Sequence, residues 1–149
     1  MFRYLCCNKL VIKKTVIMKT QNLNVNQLST DAYRNYLSYL EAMDKKDVET
    51  YGKFLADDVQ MWFNNEQFGI GKETILKGLD EYWQSFMSIE HDLTNIYGTD
   101  KNYVLEALNH YKRHDGKNAT VKAVAFTDLN DNGKVKSVRL YMDMAPVFK

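Results

Sequence analysis

Between Asp47 and Met87 the spacing of apolar residues changes twice, and this double change restricts what the chain can fold into. Behind Asp47, a residue type suited to a helix N-cap, Val48, Tyr51, Phe54 and Leu55 recur at helical spacing. Val59, Met61 and Phe63 then alternate with Gln60, Trp62 and Asn64, the period of a strand. Ile75, Leu76, Leu79, Tyr82, Trp83, Phe86 and Met87 restore a broad helical stripe. The stretch therefore predicts two helices folded around one strand. Ala56-Asp57-Asp58 is expected to end the first helix. Asn64 to Gln67 should form a polar turn, and Gly69-Ile70-Gly71 should lead into the next helix.

Upstream, Ser29, Thr30 and Asp31 are N-cap residue types, and Tyr33, Tyr36, Leu37, Leu40 and Met43 follow at helical spacing. A first helix over about 31–45 is expected, with Lys45 and Lys46 in its last turn, where positive charge suits the helix dipole. From residue 91 onward the chain reads as strands, at 91–97, 102–114, 118–128 and 134–145. Asp115-Gly116 and Asn132-Gly133 lie between consecutive strands and favour the positive φ of tight hairpins, and Gly98-Thr99-Asp100 is a third turn. The last four strands should thus form an antiparallel meander. Helices first and a sheet afterwards is an α+β layout, with three N-terminal helices packed on one face of a curved antiparallel sheet.

At 149 residues one domain is expected, over 29–149. Residues 1–28 read as a poorly ordered leader and an Asn/Gln-rich linker. Lys9, Lys13 and Lys14 interrupt the apolar residues of the first eighteen, so that segment fits neither a secretory signal nor a membrane span. Met18 is a candidate true start, with 1–17 an upstream artefact; recovery of peptides from that segment in the native protein would exclude it. Residues 1–30 carry Arg3, Lys9, Lys13, Lys14 and Lys19 and no acid, so the rest of the chain is mildly acidic within a net charge of +1. That balance lacks the electrostatic footprint of a nucleic-acid binder, and no membrane partner is expected. Cys6 and Cys7 stand together without a disulfide or zinc pattern, which fits a reducing, cytoplasmic setting.

The order of elements resembles the nuclear transport factor 2-like superfamily, also called SnoaL-like or ketosteroid-isomerase-like. The resemblance covers about residues 30–145. Its carriers are Phe54-Leu55-Ala56-Asp57-Asp58, the strand Val59 to Phe63, the helix start Gly71-Lys72-Glu73-Thr74-Ile75, and the closing hairpin from Asn130 into Val138–Asp143. It implies a cone: helices closing one face of a strongly bent sheet around an apolar pocket, often in a homodimer. Members include isomerases, polyketide cyclases, dehydratases, ligand carriers and non-catalytic association domains, so fold alone does not choose among them. In isomerase-like members a Tyr on helix one helps form an oxyanion hole, and Tyr39 matches it. The general-base carboxylate would fall near Phe63 and the second oxyanion acid at Ala125. Two of the three roles are missing, which argues against ketosteroid isomerisation.

By the same overlay the concave face should carry Val59, Met61, Phe63, Glu106, Leu108, His110, Val121, Ala123, Ala125, Val138, Leu140 and Met142, with Leu79 and Trp83 contributed by helix three. Glu106 and His110 stand out as titratable groups among apolar ones, and desolvation would suit them to proton transfer. With Tyr39 as donor, they are the candidate catalytic residues. The expected function is that of a SnoaL-like pocket protein for a small apolar or polyketide-like molecule. It would act without a cofactor as an isomerase, cyclase or dehydratase, or else bind or associate without turnover. Tyr103, Leu105, Ala107, Tyr111, Val124, Phe126 and Tyr141 are assigned to the opposite face, where a second subunit should cover them.

Other motifs carry less. Glu106, His110 and His114 share a strand face, but four residues along a strand span about 13 Å, so no metal site is expected from them. Asp128 to Gly133 matches the opening of an EF-hand loop, yet Arg139 stands where the bidentate Glu belongs. A hairpin turn is expected there. Gly69-Ile70-Gly71 is too short for a phosphate loop, and the sequon Asn118-Ala119-Thr120 means little without secretion.

Overall fold

The computed structural model describes residues 18–21, 23–25 and 28–149, with only the backbone at Asn24 and Val25. The expectations for residues 1–17 lie outside this set. In chain order the elements are β1 (Asn24–Val25), α1 (Thr30–Asp44), α2 (Val48–Gly52), β2 (Leu55–Phe63), β3 (Glu66–Ile70), α3 (Lys72–Gln84), β4 (Ser88–Gly98), β5 (Asn102–Lys112), β6 (Asn118–Leu129), β7 (Val135–Met142) and α4 (Ala145–Phe148).

The strands form one sheet in the order β1-β4-β5-β6-β7-β2-β3, curled but unclosed, with helices packed against it. Strands β4 to β7 are the expected antiparallel meander. The sheet as a whole is mixed, because β2 runs parallel to β7 and β1 runs parallel to β4. No hairpin joins β2 to β7, so nothing local forces them antiparallel. Register shifts within β2, β4 and β6 mark bulges, which bend strands and help curl a sheet.

Local chemistry explains most boundaries. The Ser29 side chain accepts from the Ala32 amide at 3.2 Å and opens α1. Asp47 does the same for α2 through the Thr50 amide at 3.0 Å. Lys45 caps α1 rather than lying in its last turn, and Lys46 follows at φ 53° with its ammonium bonded to the Phe86 carbonyl.

Two boundaries depart from the sequence reading. Helix α2 stops at Gly52, and Leu55-Ala56-Asp57-Asp58 belongs to β2, not to a helix end. Pairing with β7 takes over: the Val135 amide donates to the Phe54 carbonyl at 2.9 Å, and Leu55 lies opposite Val135. The polar turn shrinks to Asn64-Asn65, with Asn64 at φ 52°, because Glu66 to Ile70 pairs back on β2 as an additional strand. Gly71, at φ 85°, turns the chain from β3 into α3 while its amide donates to the Val59 carbonyl at 2.8 Å. The EF-hand-like segment is a hairpin turn, in which the Asn130 side-chain oxygen accepts from the Asn132 and Lys134 amides. Among the described residues no helix is long and apolar enough to cross a membrane.

The core lies between the helices and the inner sheet face. Tyr36, Leu40, Tyr51, Leu55, Val59, Ile75, Phe86, Leu93, Ile96 and Tyr111 are its largest fully buried side chains.

Candidate active site

A cavity remains inside this core, with room of about 80 Å³ for the centres of water-sized groups. A single water needs about 10–15 Å³ on that measure, so several atoms of a small organic molecule fit. Its walls are largely apolar. Tyr39, Met61, Leu79, Trp83, Ala123, Ala125, Val138, Leu140 and Met142, all expected there, line it. Val59 is fully buried but packs in the core away from the cavity, and Phe63 lines a neighbouring cleft instead.

The expectation for β5 is overturned. Tyr103, Leu105, Ala107, Asn109 and Tyr111 are the buried residues of β5, while Glu106, Leu108 and His110 point to the outer face. The reason is register. Lys112 pairs with Asn118 across a five-residue turn, so odd-numbered residues of β5 face odd-numbered residues of β6, as in Ala107 opposite Ala123. Residues directly opposite share a sheet face. Placing Ala123 inside therefore puts Ala107 inside and Glu106 outside. On that outer face the Glu106 carboxylate accepts from the Asn95 amide at 2.7 Å. His110 lies between Thr120 Oγ1 at 2.9 Å and Asp92 Oδ2 at 3.4 Å.

The titratable groups of the cavity are different ones. His91, on β4, lines it, and its Nδ1 lies 2.5 Å from Oδ1 of Asp44, the last residue of α1. The other Asp44 oxygen accepts from the His91 backbone amide at 3.3 Å. The two side chains are only 5% and 1% exposed. A carboxylate at a helix C-terminus opposes the helix dipole, and burying it adds desolvation, so the site is costly without its histidine. With Nδ1 engaged, Nε2 makes no hydrogen bond among the described residues.

Asn109 sits directly opposite His91 in the β4–β5 register and also lines the cavity. Its amide nitrogen reaches the Met142 sulfur at 3.8 Å, and its Oδ1 is buried with no partner. Two phenol pairs join them. Tyr39 and Tyr51 share a hydrogen bond of 2.6 Å, and Tyr82 and Tyr111 one of 3.0 Å. Burial, reinforced by neighbouring phenols, holds Tyr39 well above the ordinary phenol range, and burial also raises Tyr51, Tyr82 and Tyr111. These hydroxyls stay protonated at neutral pH and serve as donors, not bases. Among the described residues no group of three or more His, Cys, Asp or Glu is placed to hold a metal ion.

The sequence reading missed His91, Asn109, Tyr51, Tyr82 and Tyr111 as cavity groups, and Asp44 as the partner of His91. The signal for Asn109 and Tyr111 was the turn length between β5 and β6. Nothing local marks the Asp44–His91 pair, whose members stand 47 positions apart.

Comparison with known proteins agrees with this fold. A SnoaL-like domain profile matches residues 36–138, and the chain belongs to that family. Among solved structures, an NTF2-like protein of unknown function from Burkholderia pseudomallei K96243 superposes with a TM-score of 0.71 at 12% identity, over 81% of this chain and all of its own. A protein classed as a SnoaL-like polyketide cyclase from Shewanella denitrificans OS-217 gives 0.69 at 16% identity, over 79% and 94%. An LEH-like epoxide hydrolase from M. tuberculosis gives 0.67 at 18%, over 80% and 88%. At such identities the likeness is one of fold. No curated protein sequence matches the chain.

Proposed function

We propose that the chain is a cofactor-independent enzyme that moves a proton on a small, largely apolar carbonyl compound, in an isomerase, cyclase or dehydratase reaction. The observation that carries this reading is the buried Asp44–His91 pair, whose imidazole lines a largely apolar cavity. Asp44 holds the imidazole through Nδ1, fixing its tautomer and leaving Nε2 for the ligand. Nε2 takes a proton from the carbon next to the carbonyl. The C–H electron pair becomes the C=C bond of an enolate, and a phenol O–H donates to the oxygen that gains charge. Return of the proton to another carbon isomerises the substrate; loss of a β-hydroxyl, protonated by the same imidazolium, dehydrates it. His91 thus takes the role expected of His110, and Tyr39 keeps its expected role as a donor, alongside Tyr82.

The test needs no knowledge of the natural product. Cyclohexanone incubated with the protein in D2O should lose its α-protons faster than in buffer, as read by proton NMR. His91→Ala should remove about 10²–10⁴ of that enhancement. No enhancement by the native protein, with binding retained, would favour the non-catalytic alternative, a ligand-binding module.

A homodimer through the outer sheet face is part of the proposal. Val104, Leu108, Val124 and Phe126 on that face are already half-buried in one chain, and Tyr141 is exposed against the Phe126 ring. A monomer in sedimentation at micromolar concentration would refute it. With no disulfide framework in the sequence, the reducing cytoplasm is the setting proposed for it.

A further inference from the structure

A second cleft lies beside the cavity, between the β2–β3 hairpin, α3 and the C-terminal turn. On the same measure it offers about 460 Å³, several times the inner space. Trp62, Phe63, Phe68 and Phe148 give it four aromatic walls, Met144 adds a polarizable one, and Glu66 stands among its lining residues, exposed on the edge strand β3. The two spaces share Met61, Leu79, Tyr82 and Leu140. Tyr82 is central to this partition: its hydroxyl meets Tyr111 on the cavity side and the Met144 sulfur, at 3.8 Å, on the cleft side.

We infer that the cleft is the second half of one binding site, and that its occupant is the ring-bearing body of the same molecule whose carbonyl end enters the cavity. The inference rests on the proton-transfer reading for the identity of the head group. The inner cavity alone admits only a few atoms, so a substrate larger than a single small ring must extend past the shared side chains. This cleft is an apolar space that meets the cavity at those side chains. Flat rings are favoured there because the walls are aromatic and offer offset and edge-to-face contacts. The C-terminal segment from Met144 to Phe148 then sets which bodies are accepted. Phe148 is 53% exposed, so it is available to a ligand at little cost to the fold.

The experiment compares cyclohexanone with 4-phenylcyclohexanone, using ligand-observed NMR titrations for Kd and α-proton exchange for chemistry. The phenyl ketone should bind about tenfold or more tightly, the gain expected for burying one such ring. Phe148→Ala and Trp62→Ala should bring its Kd toward that of cyclohexanone while leaving the Kd of cyclohexanone unchanged. Phe148→Ala, at an exposed position, keeps the test valid should the Trp62 variant fold poorly. Equal affinity for the two ketones, binding of neither, or a gain untouched by Phe148→Ala would overturn the inference. Tighter binding of the phenyl ketone without exchange would uphold the cleft and sink the proton-transfer reading.

Discussion

Two histidine–aspartate pairs lie on opposite sides of the same sheet, and their contrast locates the chemistry. His91 and Asp92 are neighbours on β4, so their side chains leave by opposite faces. His91 turns inward to Asp44 at 2.5 Å, with both side chains at 5% exposure or less. Asp92 turns outward to His110 at 3.4 Å, with side chains 22% and 32% exposed. The residue types are the same, but the inner imidazole lines a largely apolar cavity and the outer pair is only half-buried. Burial strengthens electrostatic coupling and excludes competing water, and the outer pair has less of both in one chain. A carboxylate beside an imidazole is therefore no sufficient sign of an active site; the face of the strand decides.

The contrast can be broken in order of expected effect. The largest effect belongs to the phenols of the inner side. Tyr36, Tyr39, Tyr51, Tyr82, Tyr103 and Tyr111 all titrate above the ordinary range, with burial as the leading cause. A group with a raised folded pKa contributes stability fully below its unfolded pKa and loses it as pH rises toward the folded value. Stability should therefore be flat to about pH 10 and then fall by up to about 1.4 kcal/mol per phenol per pH unit. Together that suffices to unfold a domain of ordinary stability, about 5–15 kcal/mol. Tyrosinate absorbance should rise together with loss of circular dichroism; phenols that ionise gradually with the fold intact would show that the inner side is wet.

Next comes the inner pair itself. Asp44→Ala leaves the buried imidazole N–H without its partner and should cost about 1–3 kcal/mol in urea unfolding. A cost under about 1 kcal/mol would mean that the pair is not buried as described. The smallest effect is expected outside, where the pair is half-buried in one chain and Asp92→Ala should cost no more than about 1 kcal/mol.

What the sequence disclosed follows the same inner and outer division. Element order was legible because it is written locally: the helical stripe of α3, the alternation from Val59 to Phe63, and the glycine turns at Gly116 and Gly133 each depend on residues a few positions apart. The first half of β2 was not legible, because Leu55 to Asp58 becomes a strand only through β7, some eighty residues later. Strand β3 was hidden by its polar start at Glu66-Gln67, which suits an exposed edge as well as a turn. On β6 and β7 the overlay put Ala123, Ala125, Val138, Leu140 and Met142 on the concave face, and these residues line the cavity. The face of β5 was assigned by overlay on the resembled family instead of from the turn that fixes its register. The Asp44–His91 pair depends on the packing of α1 against β4, a tertiary fact with no local trace.

The most direct measurement is the rate of α-proton exchange of cyclohexanone in D2O, compared between His91→Ala and His110→Ala at neutral pH. The central claim predicts that His91→Ala falls to within about tenfold of buffer, if the native enhancement is the usual 10²–10⁴ for a positioned base, while His110→Ala keeps the native rate. Loss of exchange in His110→Ala with His91→Ala unaffected would contradict it and return the chemistry to the outer face.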